Sequence, residues 1–311
     1  MSLTPATLKI DTPIRILVDR RKAVGDVVMI TPVLRELRRR YGADAYIQVV
    51  TEETIVLINN PHIDSVVKPA DMKREDPWDL YINLNDAYES NVTAHYVDAY
   101  LYRAFGTTEG IDRSLVVEAS AEEKENVKEA QIDINGPYVV FHMRRWAWEN
   151  KNINLEIWTM LMTWIEASFP EVKMISVGAQ YDFKMPLTDQ SRYISLNEQL
   201  SIGELKELIA GAEFFIGGDS GPYHVACTTD TPIVALLSHL SPDQILPWRS
   251  GEFGKDVHVA MSKVPCTGCY ARQKPPVRNL TCENPVEWAC ANNFDIPEIT
   301  EIMAQLLKEH A

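Results

Sequence analysis

The sequence predicts an α/β protein made of two successive Rossmann-like units, and three observations carry that expectation. Short β-rich runs alternate with amphipathic stretches along most of the 311 residues. The alternation restarts after an Asn135-Gly136-Pro137 turn. Each series also holds a glycine-bearing turn where a strand hands over to a helix, Gly25-Asp26 in the first and Gly217–Gly221 in the second. Strand, helix, strand with short connections is the pattern of a parallel sheet.

In the first series Ile14–Val18 reads as a strand, and Val27–Arg40 follows with apolar residues at helical spacing and a Gly42 stop. Tyr46–Val50, Ser65–Val67 and Leu80–Asn83 read as further strands, and Ala87–Phe105 as a helix. In the second series Tyr138–Phe141, Val172–Val177, Phe214–Ile216 and Pro232–Leu237 read as strands. Leu155–Ser168, Ile202–Ala210 and Tyr223–Thr228 read as helices between them. The charged stretch Ala121–Ile132 marks the boundary, which divides the chain into units 1–135 and 136–311 with a cleft between them.

The most informative stretch is Phe214–His224, Phe-Phe-Ile-Gly-Gly-Asp-Ser-Gly-Pro-Tyr-His. An apolar run stops at two glycines and a helix starts at Pro222, where a missing N–H has no intrahelical partner to lose. The turn presents free backbone N–H groups at the positive end of a helix, which suits an anion such as a diphosphate. Asp219, Ser220 and His224 place an acid, a hydroxyl and an imidazole around the same point. A turn in which Asp219 or Ser220 merely caps the helix accounts for the same residues.

Composition narrows the function classes. The formal net charge is −14, which argues against non-specific nucleic-acid binding and against docking on an anionic membrane. No apolar run approaches the ~20 residues of a membrane span, and the N-terminus shows no secretory signal; the expectation is a cytoplasmic protein. Positive charge is local, in Arg20-Arg21-Lys22, in Arg35 with Arg38-Arg39-Arg40, and in Arg144-Arg145 with Lys151. The middle group reads as the solvated face of a helix, whereas the other two sit at strand ends, where clefts form. Neither Gly-x-Gly-x-x-Gly after a strand nor a P-loop is present, which disfavours nicotinamide dehydrogenases and P-loop NTPases.

Four of the five cysteines fall within Cys266–Cys290. Without a secretory signal, such clustering points to metal or redox chemistry before structural disulfides. Cys266, Cys269, Cys282 and Cys290 can form a tetrahedral thiolate site for a structural zinc or iron ion, with no position left open for metal catalysis. Reduced, partly buried thiols in a Pro- and Asn-rich loop are the other reading. Cys227, in a short apolar helix, reads as core.

Two segments, in this order and at this separation, resemble one family. Gly25-Asp26 followed by Thr31-Pro32-Val33-Leu34 is the first, and Asp219-Ser220-Gly221-Pro222 with His224 is the second. Asn60-Pro61-His62-Ile63-Asp64 before a Val-Val strand is a further match. Together they resemble glycosyltransferase family 9, the bacterial heptosyltransferases of lipopolysaccharide core synthesis, which includes a branch that glycosylates autotransporter proteins. The resemblance implies a GT-B fold, with two facing Rossmann-like lobes, the N-terminal one binding acceptor and the C-terminal one the nucleotide-sugar. It implies inverting transfer, usually from an ADP-activated heptose, to a glycan or protein acceptor without a catalytic cofactor. For the autotransporter branch it implies iron at the cysteines and assembly into large rings.

Inverting transfer needs a base for the acceptor hydroxyl and positive charge on the departing diphosphate. The family's Gly-Asp motif assigns the base to Asp26; a capping aspartate is the alternative use of that residue. Lys151 corresponds to a family lysine, although Asn-Ile-Asn follows it here where a Lys-x-Trp-Pro context is usual. Arg144 and Arg145 are its possible substitutes beside the diphosphate, and Trp146 and Trp148 accompany them. Asp219, Ser220, Gly221 and His224 complete the diphosphate and sugar site. Asp182 falls where the family often has an acid bonding the nucleotide ribose. Two other functions use the same features: a sugar-nucleotide epimerase or hydrolase of the same fold, and a non-catalytic sugar-nucleotide or protein-binding module.

Overall fold

The computed structural model describes residues 13–72, 77–134, 136–145, 149–183 and 191–308; Trp146 and Trp148 lie outside them. The first unit contains β1 (Arg15–Asp19), α1 (Val24–Met29), α2 (Thr31–Tyr41), β2 (Tyr46–Val50), β3 (Ser65–Val67), β4 (Leu80–Asn83), α3 (Tyr96–Phe105) and α4 (Ala121–Ile134). Its sheet runs β3-β2-β1-β4, parallel throughout. The second contains β5 (Tyr138–His142), α5 (Leu155–Ser168), β6 (Lys173–Ser176), β7 (Tyr193–Ser195), α6 (Ile202–Ala210), β8 (Phe215–Gly217), α7 (Gly221–Ala226) and β9 (Ile233–Leu237). It continues with α8 (Pro242–Ile245), β10 (Trp248–Arg249), β11 (Glu252–Phe253), β12 (Val257–Met261) and α9 (Ile296–Lys308). The order β12-β9-β8-β5-β6-β7 is again parallel.

Alternation along the strands explains why the second sheet is covered on both faces. Val140, Ile175, Phe215, Ile233 and Ala235 point to one core, shared with Tyr223 and Val225 of α7 and with α1. Val139, Phe141, Met174, Ile216, Val234 and Leu236 point to the other, filled by Trp158 and Leu161 of α5 and Met303 of α9. Each such fully buried side chain contributes about 1.5–3 kcal/mol.

Two expected helices differ. The helix expected over Val27–Arg40 is divided at Ile30, because Pro32 occupies the first turn of α2 and cannot donate into a continuous ladder. Gly25 and Asp26 consequently lie inside α1 rather than in the turn before it. The helix expected over Ala87–Phe105 is confined to Tyr96–Phe105, capped by the His95 ring, which accepts from the Val97 N–H. The preceding loop is held by the second unit: Gln244 Nε2 donates to the Val92 carbonyl and the Val277 N–H to that of Glu89. Those tertiary bonds outweigh the local helical pattern. β7, β12 and α9 carry no expectation from the sequence.

Candidate active site

The two glycine-bearing motifs meet at the carboxyl ends of β1 and β8. A Cβ at Gly25 would lie 2.6 Å from His224 Cδ2, and one at Gly221 would lie 3.1 Å from Val24 Cγ1. Only glycine lets α1 and α7 approach this closely. Ser220 caps α7, accepting from the Tyr223 N–H while donating to the Gly218 carbonyl. Ser220 thus does the capping work, and with Gly221 it also lines the cleft.

Both carboxylate oxygens of Asp26 are engaged. Its Oδ2 accepts from the Ala23 N–H at 2.8 Å, closing the first turn of α1. Its Oδ1 accepts from Arg20 Nη2 at 2.7 Å and from the Tyr100 hydroxyl at 2.8 Å, and the side chain stays 14% exposed toward the cleft. A carboxylate offers about four acceptor sites, so one remains for a ligand. Arg20 also pairs with Glu89 at 3.3 Å and lies over the rings of Tyr88 and Tyr100. Burial pushes the Glu89 carboxyl up, against the pull of the Arg20 charge.

Opposite Asp26, Lys151 pairs with Asp219 Oδ2, and His224 Nε2 lies 3.3 Å from Asp219 Oδ1. Burial pushes the Asp219 carboxyl up, but the Lys151 charge and the hydrogen bond with His224 hold it far below the usual carboxylate range. The His239 imidazole is pushed down to about 3 by its own burial and by the Lys151 charge, so it is neutral. Arg144 bonds Asn152 Oδ1 at 2.8 Å. With Arg20, Arg21, Asp26 and Tyr270, Arg144, Lys151 and His239 border a polar chamber of about 390 Å³.

A second chamber of about 450 Å³, bordered by Ser220 and Gly221, shares Ala23 and Arg144 with the first. Val177, Leu196, Leu200, Ile202 and Leu205 line it, with Glu53, His142, Arg144 and Glu198 among its polar members. Asp182 also borders it, but both its oxygens are turned to the protein. Oδ2 takes His142 Nε2 at 3.1 Å and the Ala179 N–H at 2.7 Å, and Oδ1 takes the Arg145 N–H at 2.7 Å. Burial raises this carboxyl, and His142 with the two N–H donors brings it below its ordinary value. Gly178, at φ +138°, leaves the space the Asp182–His142 pair occupies. Arg145 does not join the site: its guanidinium lies over the Phe183 ring, and the residue is exposed. Glu198 went unread in the sequence. It sits at φ 61°, is exposed, and borders the chamber. Tyr100 and His239 were missed as well, since neither belongs to a recognisable motif, whereas Arg20 lies in the basic group Arg20-Arg21-Lys22 expected at a cleft.

All five cysteines are free thiols, and Cys227 is core as expected, pushed up to about 12 by burial. Cys266, Cys269, Cys282 and Cys290 line one small cavity. Burial and the neighbouring sulfurs push the Cys290 thiol up to about 11. Asn284 Nδ2 approaches Cys266 Sγ at 3.3 Å and the Trp288 N–H approaches Cys282 Sγ at 3.4 Å. N–H groups aimed at sulfur and an all-thiol donor set fit a soft or borderline metal ion. Among the described residues, however, no group of three or more His, Cys, Asp or Glu is arranged to hold a metal ion.

Two parallel α/β units facing across a chambered cleft, with the motif turns at its floor, define the GT-B class of glycosyltransferase. The chain belongs to glycosyltransferase family 9 (heptosyltransferase), whose profile matches residues 80–275, and it is a glycosyltransferase. No curated protein matches it. Among solved structures, it resembles a family 9 glycosyl transferase from Veillonella parvula DSM 2008, at 19% identity over 96% of this chain and 98% of that one, TM-score 0.69. It also resembles the iron-containing dodecameric glycosyltransferase TibC from enterotoxigenic E. coli H10407, at 14% identity over 98% of this chain and 78% of that one, TM-score 0.71. E. coli ADP-heptose lps heptosyltransferase II is similar at 17% identity over 96% of this chain and all (100%) of that one, TM-score 0.66. Among the described residues no helix is long and apolar enough to cross a membrane.

Proposed function

We propose that the enzyme transfers a heptose from ADP-heptose, with inversion, to a hydroxyl of a glycan or protein acceptor. The observation that carries this reading is the meeting of Gly25-Asp26 with Ser220–His224 between two chambers of different chemistry. The apolar chamber suits a nucleoside base, with Glu198 free to take the ribose diol in the part expected of Asp182. The diphosphate then runs past the Ser220 and Gly221 N–H groups toward Arg144 and Lys151. The sugar rests by Asp219, and the acceptor enters the polar chamber from the first unit, 1–135, while the second, 136–311, holds the donor.

In this reading the acceptor oxygen attacks the anomeric carbon as the bond to the diphosphate breaks. Asp26 takes the hydroxyl proton at its remaining acceptor site and later gives it to water. Arg20 and Tyr100 fix the carboxylate's orientation. Lys151 and Arg144 meet the charge that grows on the leaving oxygen. TibC, described in complex with ADP-D-beta-D-heptose, supports the donor by family likeness.

Parallel calorimetric titrations with ADP, GDP, UDP and CDP test the donor, and product analysis with and without acceptor tests transfer. Selective ADP binding that Lys151→Ala weakens supports the reading; sugar release or epimerisation without acceptor overturns it. We also propose that Cys266, Cys269, Cys282 and Cys290 hold a structural zinc or iron ion, which would tie the loop together. Metal analysis of the purified protein beside a Cys266→Ser variant decides this. The oligomer goes with it as a proposal, since TibC is described as dodecameric, and light scattering reads it.

A further inference from the structure

His239 stands at the carboxyl end of β9, outside every motif the sequence offered. It is 2% exposed, and it borders both the polar chamber and the small cavity behind Lys151 and Asp219. Its two ring nitrogens have different surroundings. Nδ1 lies 3.3 Å from Ser238 Oγ, and that hydroxyl lies 2.6 Å from the Asn150 carbonyl. A carbonyl only accepts, so the single Ser238 proton goes to Asn150 and Ser238 Oγ must accept from Nδ1–H. The neutral ring therefore carries its proton on Nδ1, and Nε2 is a bare lone pair.

Nε2 is buried and has no hydrogen-bond partner among the described residues. Asp219 Oδ2 lies 3.8 Å from it, but that oxygen is an acceptor too, and neither atom can bond the other. Two acceptors side by side, one ionic and one neutral, ask for donors from outside the protein. A phosphate has none to give at neutral pH, whereas a sugar offers an O–H at almost every carbon.

Resting on the glycosyltransferase reading, we propose that His239 is a sugar-binding residue whose Nε2 accepts a hydrogen bond from one hydroxyl of the transferred sugar, next to the hydroxyl that meets Asp219. The Asn150–Ser238 pair sets the tautomer. Because His239 and Asp219 both belong to the second unit, the hydroxyl belongs to the donor sugar rather than to the acceptor. The contact makes His239 a determinant of which sugar is accepted, since an axial or missing hydroxyl leaves a buried acceptor unpaired.

The test compares ADP, ADP-heptose and a series of monodeoxy ADP-heptoses on the wild type, His239→Asn and His239→Gln. An Asn amide overlays Nδ1 and supplies nothing at Nε2, whereas a Gln amide oxygen reaches the Nε2 position. His239→Asn is expected to keep ADP affinity and to bind ADP-heptose about tenfold more weakly, the scale of one hydrogen bond with its buried partner. One deoxy donor should bind the wild type about tenfold worse and the Asn variant no worse than the full sugar. His239→Gln should recover much of the discrimination. If His239→Asn discriminates among the deoxy donors as the wild type does, or loses ADP and ADP-heptose affinity alike, the assignment of His239 is overturned while the transferase reading stands. If the wild type binds no ADP-sugar at all, the donor reading itself falls and takes this one with it.

Discussion

The two chambers of the cleft are similar in volume, about 450 and 390 Å³, and opposite in construction. In the apolar one, aliphatic side chains dominate and the Asp182–His142 pair is satisfied within the protein, while Glu198 stays exposed at its border. In the polar one, carboxylates and cations are packed against one another, and Asp26 and His239 each keep an acceptor site that no described residue fills. The first chamber can select by shape and by what it excludes from water. The second can move a proton and meet a developing charge. Preorganised charge of this kind is what chemistry requires, and a base-binding slot has no use for it.

Substitutions can break that contrast. The largest effect is expected from Asp26→Asn, which should lower kcat by about 10³-fold while leaving donor affinity within about twofold. Parallel turnover and titration measurements read it, and an equal loss of donor affinity would make Asp26 a structural cap instead. Next is Gly25→Ala. The added methyl would press on the buried His224 ring, and overpacking of this kind costs about 1–3 kcal/mol. A lowered Tm with a parallel loss of activity is the expected result, because the floor of both chambers shifts. An unchanged Tm would mean that the two units are not locked at this point.

Within the apolar chamber, Glu198→Gln should weaken ADP about tenfold, as one charge-assisted bond is lost, while Asp182→Asn should leave ADP affinity unchanged. Titration of both variants in parallel would sharpen or reverse the assignment of the ribose ligand. The smallest effect is in stability against pH. The folded pKa of Asp182 lies below its unfolded value, so its contribution is complete above about pH 4 and is lost as pH falls through the folded pKa. Asp182→Asn should therefore be less stable than the wild type near neutrality, with a gap that narrows in acid by at most about 1.4 kcal/mol per pH unit. Thermal melts between pH 3 and 7 measure it.

The alternation of strands and helices was legible in the sequence because each inner strand of the second sheet is buried on both faces and so reads as an apolar run. β7 was not, being three residues at a sheet edge, and neither was β12, where His258 interrupts the run. α9 did leave a signal, Ile299, Met303 and Leu306 at helical spacing, which went unread beyond the cysteine-rich segment. Asp26, Lys151, Asp219 and Ser220 could be found because each lies in or near a motif with a chemical reason. Asp182 fitted its motif position, but no sequence pattern tells whether a carboxylate turns to the ligand or to a neighbouring histidine. Glu198 and His239 depend on a left-handed backbone angle and on a tautomer fixed by Ser238 and Asn150. Both are properties of the folded chain.

The interlock of Gly25 with His224 and of Val24 with Gly221 constrains more than packing. The two helices, α1 and α7, belong to different units and are far apart in the chain, but neither has room to change alone. A side chain gained at position 25 must be matched by a smaller one at 224, and a larger residue at 221 needs a retreat at 24. Under mutation the pair will drift as one inherited piece, so a hybrid that joins the first unit of one relative to the second unit of another should fail first at this seam.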